Sequence, residues 1–190
     1  GNTLVEDERV GGISFTGSTE IGTSITARGS ELLKKVQCEM GGKNAAIILN
    51  DADLDKAVPG VVQGAFGSTG QRCTATSRAI VEDGIYNEFM DALLAQTEAL
   101  KVGDAIDSSK DVAPLASRNQ LDTVLEYIGI GTEEGARLTF GGHQLRGDEF
   151  DEGYYVEPTI FTDVATSMRI AREEIFGPVL SVFRASDLQD

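Results

Sequence analysis

Tryptophan is absent from this 190-residue chain, histidine occurs once, cysteine twice and proline four times. His143, Cys38 and Cys73 fall short of the four Cys/His ligands of a structural zinc site, so no metal centre is expected. Two cysteines are also few for a disulfide scaffold, and the chain reads as having no secretory leader. A Cys38 to Cys73 bridge is the bland alternative to a chemical role for either thiol. Basic residues are scarce, with 16 Lys plus Arg against 31 Asp plus Glu and a formal net charge of -15. Such a surface repels nucleic acid and anionic lipid, which excludes polyanion binding as a role. The longest apolar runs, such as Ala45-Ala46-Ile47-Ile48-Leu49, fall far short of a membrane span. A soluble cytoplasmic protein with no membrane or nucleic-acid partner is expected.

The apolar share of 41% is ordinary for a folded domain, and the acids are spread along the whole chain rather than gathered in a tail. A halophilic cytoplasm suits that charge, because counter-ions screen its self-repulsion. Gly1-Asn2-Thr3-Leu4 opens without methionine and Asp187-Leu188-Gln189-Asp190 is a polar stop, so both ends read as cuts in a longer protein.

Alternating residues predict a first strand over 12–16. Gly17-Ser18-Thr19 then caps a helix whose first segment is expected to end at Gly29. Strands are expected over 36–40 and 45–49, followed by a helix from Leu54 toward Thr69, in which Pro59 predicts a kink or a later start. Beyond Cys73 the pattern predicts a strand over 77–82 and a helix carrying Ile85, Phe89, Leu93, Leu94 and Leu100 inward. A helix over 119–134, a short strand over 137–140, strands over 155–161 and 179–183, and a short helix over 167–173 complete the reading. Alternating strands and helices point to an α/β fold with mainly parallel sheets.

Four places carry candidate chemistry. The spacing of Gly17 and Gly22 is not that of the common dinucleotide fingerprint, yet a hydroxyl and free amides at a helix start form a natural phosphate site. The plain alternative is a capped helix. Cys73 lies in Gly70-Gln71-Arg72-Cys73-Thr74-Ala75-Thr76-Ser77-Arg78, a polar turn in which a thiolate would be favoured, whereas Cys38 falls within a strand and reads as packing. Glu39 ends its strand before Gly41-Gly42 and is either a base or a surface acid. Glu173-Glu174-Ile175-Phe176-Gly177-Pro178 reads physically as a helix end with a rigid stop.

Taken in order, Phe15-Thr16-Gly17-Ser18-Thr19, Glu39-Met40-Gly41-Gly42-Lys43-Asn44, Gly70-Gln71-Arg72-Cys73 and the 173–178 segment resemble the aldehyde dehydrogenase family over essentially the whole chain. The resemblance implies the end of a Rossmann-like cofactor domain over residues 1–41 and a truncated catalytic thiol domain over 42–190. It implies that Cys73 is the nucleophile, Glu39 the general base that releases a carboxylic acid, Gly17 and Ser18 the pyrophosphate-facing turn, and Glu174 with Phe176 the contacts to the nicotinamide ribose. NAD or NADP is the implied cofactor, a small aldehyde the substrate, and a dimer or tetramer the full-length assembly; the fragment alone is expected to be inactive. Arg72 and Met40 depart from many relatives. The 66–78 run resembles the branch that oxidises α-ketoglutarate semialdehyde. Succinate semialdehyde or another small aldehyde is the alternative substrate, and a redox-silent dinucleotide-binding relative is the alternative in kind. From the acidic composition, the melting temperature is predicted to rise from low to molar KCl in thermal denaturation; equal values at both would contradict the screening argument.

Overall fold

The computed structural model describes residues 1–187, which divide between two compact units, 1–42 and 43–187. In the first unit, helix α1 (Asn2–Glu6) precedes strand β1 (Gly12–Thr16), helix α2 (Thr19–Glu31) and strand β2 (Lys35–Glu39). β1 and β2 pair in parallel, Ile13 opposite Val36 and Phe15 opposite Cys38, and α2 is the crossover that parallel pairing requires. Ser18 caps α2 by accepting from the Ile21 amide. The helix runs through Gly29, contrary to the expected stop, because Gly29 packs against the Val36 side chain of β2.

The second unit is a five-stranded sheet of order β3-β4-β7-β6-β5. Its strands are β3 (Asn44–Ile48), β4 (Thr76–Glu82), β5 (Arg137–Phe140), β6 (Thr159–Thr162) and β7 (Val179–Ala185). All neighbours are parallel except β5, which runs antiparallel along β6 at the edge. Sequence alternation places β6 over 155–161, but only the isolated bridge of Val156 to Gln144 precedes Thr159. Helices α3 (Leu54–Phe66) and α4 (Tyr86–Glu98) bury Val58, Phe66, Phe89 and Leu93 against Ile48, Ala79, Val81, Leu180 and Val182. Helices α5 (Arg118–Glu133) and α6 (Arg169–Arg172) form a second cluster, in which Leu121, Val124 and Ile170 meet Phe161 and Val179.

Asp53 caps α3 through the Asp55 amide, and Pro59 sits inside the helix without breaking it. Burial of Val58, Val61, Val62, Ala65 and Phe66 along one face outweighs the backbone bond that proline forfeits. The helix stops at Phe66, short of Thr69, because the next residues form a tight turn over Gly67–Gly70. None of the helices among the described residues is long and apolar enough to cross a membrane. Leu93 is fully buried, so Leu93→Ala is predicted to cost about 2–5 kcal/mol in urea unfolding. Leu33→Ala, at a 94% exposed position, is predicted to cost less than about 0.5 kcal/mol; equal losses would contradict the assigned core.

Candidate active site

Strands β3, β4 and β7 are parallel neighbours, so the segments that enter them stand side by side at one end of the sheet. Lys43 and Asn44 lead into β3, the 71–75 loop into β4, and the 173–178 segment into β7. Three regions far apart in sequence thereby become one surface.

The turn before Cys73 is unusual. Ser68, Thr69 and Gly70 have φ of 52°, 59° and 65°, three successive residues in the left-handed region. For Ser68 and the buried, β-branched Thr69 this costs on the order of 1–3 kcal/mol each. The surroundings hold the turn in place: Thr69 Oγ1 donates to the Ala113 carbonyl at 2.8 Å, and the Gln71 side chain accepts from the Ala116 amide at 2.9 Å. Gly70 has no room for a side chain, since a Cβ there would run into the Gly177 carbonyl. The turn before the thiol is thus seated directly on the turn before β7.

Cys73 is exposed, and its sulfur is not in a disulfide. Asn44 fixes the backbone around it, donating from Nδ2 to the Cys73 carbonyl at 2.7 Å and the Ala75 carbonyl at 3.2 Å. Ser77 Oγ closes the clamp by donating to the Asn44 carbonyl at 3.2 Å. Cys38 is a packing residue by contrast: its thiol lies 3.4 Å from Thr26 Oγ1 and 3.6 Å from the Gly22 carbonyl, between β2 and α2.

The acids of the β7 entry divide into two kinds. Glu173 accepts from the Tyr127 hydroxyl at 2.6 Å and pairs with Arg169 at 2.9 Å. Hydrogen bonds from Arg169 and Tyr127 hold its carboxyl below the usual carboxylate range. Glu174 and Phe176 face outward, whereas Ile175 is buried between them. Phe176 has φ of 55°, and Gln120 Nε2 braces the strained turn by donating to the Ile175 and Phe176 carbonyls at 2.9 and 3.1 Å.

In the first unit, Gly17, Ser18 and Glu39 are all exposed. The Gly17 amide donates to the Glu39 carbonyl at 3.1 Å, extending the β1 to β2 pairing, and is therefore not a free anion donor. Amides of the first turn after Ser18, at Thr19 and Glu20, have no helical acceptor and are the donors such a turn offers to a phosphate.

Sequence reasoning gave no role to Lys43, Asn44, Gln71 or Gln120. A lone asparagine or glutamine carries no spacing signal; its work is visible only once the strand entries are adjacent. Lys43 Nζ is buried and finds no hydrogen-bond partner among the described residues. Desolvation and the neighbouring Arg78 guanidinium push its ammonium down to about 8, against the partial support of Glu174 and Glu173. With the folded value below the unfolded one, the unfolded chain holds the extra proton between about pH 8 and 10.5, so stability rises with pH across that window. Replacing Lys43 by methionine is predicted to stabilise the fold by about 1–3 kcal/mol at pH 7, with the gap to native closing by pH 10 in urea unfolding. A gap independent of pH would refute the assignment. Among the described residues, no group of three or more His, Cys, Asp and Glu side chains could hold a metal ion.

The whole chain, residues 1–190, matches the aldehyde dehydrogenase family. It is 45% identical over 190 residues to the α-ketoglutaric semialdehyde dehydrogenase of Bacillus subtilis strain 168, covering 100% of this chain and 39% of that protein. It is 44% identical over 187 residues to the betaine aldehyde dehydrogenase of Brucella anthropi, covering 98% of this chain and 38% of that one. Two solved structures superpose closely. Betaine aldehyde dehydrogenase from Staphylococcus aureus in complex with NAD+ gives a TM-score of 0.95 at 33% identity, over 99% of this chain and 37% of that one. 3,6-Anhydro-L-galactose dehydrogenase in complex with NADP gives 0.96 at 38% identity, over 99% and 39%. The chain thus spans about two fifths of the length of the relatives it matches. Its sequence, fold and strand-entry segments together make it a member of the aldehyde dehydrogenase family.

Proposed function

We propose that this chain carries the thiol and the base of an NAD(P)-dependent dehydrogenase that oxidises a small aldehyde to a carboxylic acid, with α-ketoglutarate semialdehyde as substrate. The observation that carries the reading is Cys73 itself, exposed at the end of a strained turn whose backbone is clamped on both sides. The 45% identity to an α-ketoglutaric semialdehyde dehydrogenase supports the substrate.

In this mechanism the Cys73 thiolate attacks the aldehyde carbon, forming a thiohemiacetal and dividing one difficult oxidation into two easier steps. The Cys73 amide has no acceptor among the described residues and faces the developing oxyanion, the kind of donor that contributes several kcal/mol when preorganised. Asn44, by holding the Cys73 carbonyl, fixes the peptide plane that aims this loop. When bound, NAD or NADP supplies the hydride acceptor, leaving a thioester on Cys73. Glu174 and Phe176, exposed on either side of buried Ile175, hold the cofactor's nicotinamide ribose end, and the turn at Gly17 and Ser18 meets its pyrophosphate. Glu39, an exposed carboxylate at the end of β2, takes a proton from the water that hydrolyses the thioester.

Single-turnover NAD(P)H formation by the full-length parent separates the two roles. Cys73→Ala is predicted to give no NAD(P)H, and Glu39→Gln a burst of about one equivalent that stalls at the thioester, slowing steady turnover by roughly 100-fold or more. Activity surviving in Cys73→Ala would defeat the mechanism, and an unimpaired steady rate in Glu39→Gln would remove the base.

A further inference from the structure

Arg72, the residue immediately before the thiol, is half-buried and carries a charge that no carboxylate balances among the described residues. Its Nη2 donates to the Gln63 carbonyl at 3.1 Å and the Gly64 carbonyl at 3.5 Å, near the C-terminal end of α3. Helix-end carbonyls offer only about half a negative charge. Its Nε is buried and without a hydrogen-bond partner among the described residues. The guanidinium lies beside Gly67, where a Cβ would sit 3.4 Å from Arg72 Nη2 and would collide with the Gln63 side chain. Nη2 is engaged with α3 and Nε is sealed from solvent, so the guanidinium has Nη1 to offer an incoming acceptor.

We propose that Arg72 determines substrate charge, receiving the carboxylate at the far end of an anionic semialdehyde while Cys73 attacks its aldehyde carbon. This rests on the aldehyde dehydrogenase reading above and adds to it the residue that selects the substrate. The two ends of a four- or five-carbon semialdehyde are roughly 4–6 Å apart by bond length, the span that a thiol and a guanidinium on consecutive residues would bridge. The same cation repels an aldehyde bearing a quaternary ammonium. The two kinds of substrate named for this chain's relatives, an anionic semialdehyde and a cationic betaine aldehyde, are therefore discriminated in opposite directions by one side chain.

The test compares α-ketoglutarate semialdehyde, neutral pentanal and betaine aldehyde on the full-length parent in native, Arg72→Met and Arg72→Lys forms, with glutarate binding followed by calorimetry. Arg72→Met is expected to raise KM for the semialdehyde about 10- to 100-fold, the loss expected for a charge-assisted bond. It should weaken glutarate binding similarly, leave pentanal within about twofold and improve betaine aldehyde. Arg72→Lys should restore part of the semialdehyde KM, and it carries the test if the methionine variant does not fold. Equal losses for semialdehyde and pentanal would reduce Arg72 to a brace for the loop on α3 and overturn the proposal, as would no change for either. A native enzyme that prefers pentanal or betaine aldehyde would instead refute the substrate reading, which the native profile alone reveals.

Discussion

Everything in the second unit depends on one constraint: β3, β4 and β7 are adjacent and parallel, so their entry segments meet at the same edge of the sheet. In open α/β sheets ligands commonly gather at the carboxyl ends of the strands. Here the thiol, its clamp and the outward-facing Glu174 lie at the amino ends. Helices on both faces of the sheet keep that edge in place, with α3 and α4 burying one cluster and α5 and α6 the other. Cys73 is then carried by a short loop on a rigid support, an arrangement that suits a reactive group needing a defined direction.

Backbone strain also marks the strand entries. Ser68, Thr69 and Phe176 occupy left-handed backbone without being glycine, and Thr69 and Phe176 are held by partners from other segments. The turn at Gly70 and the turn at Gly177 are in van der Waals contact, so a shift in either moves the other. Electrostatics follow the same plan. Tyr127 and Arg169 immobilise Glu173, leaving Glu174 outward, while Lys43 and Arg78 crowd two cations beneath the β7 entry. A buried ammonium with no hydrogen bond among the described residues is a cost to stability, offset in part by the nearby charges of Glu174 and Glu173.

Much of this was legible in the sequence. Strand alternation and helical spacing found β1 and β5 at their observed limits, and α4 and α5 within a few residues, because their buried faces repeat cleanly. Cys73 was separable from Cys38 by its polar surroundings alone. The misses have physical causes. Gly29 reads as a helix stop and Pro59 as a kink or a later start, yet α2 runs through Gly29 against Val36 and α3 starts at Leu54, ahead of Pro59, along its apolar face. Three successive left-handed residues cannot be read from Ser68-Thr69-Gly70, since only the glycine advertises that conformation. Nor do Asn44 and Lys43 announce themselves, because their partners lie about thirty residues or more away and are reached only through the sheet. The chemical roles of Gly17, Ser18, Glu39, Glu174 and Phe176 came from resemblance to the family and not from spacing.

The central claim is that Cys73 forms the covalent bond to substrate. Trypsin cuts after Lys35, Lys43, Arg72 and Arg78, placing Cys38 and Cys73 on separate peptides, 36–43 and 73–78. Peptide mass spectrometry of the full-length parent, acid-quenched during turnover of α-ketoglutarate semialdehyde, should find the acyl mass increment on peptide 73–78 and none on 36–43. An increment on 36–43, or turnover with peptide 73–78 unmodified at every quench time, would contradict the account.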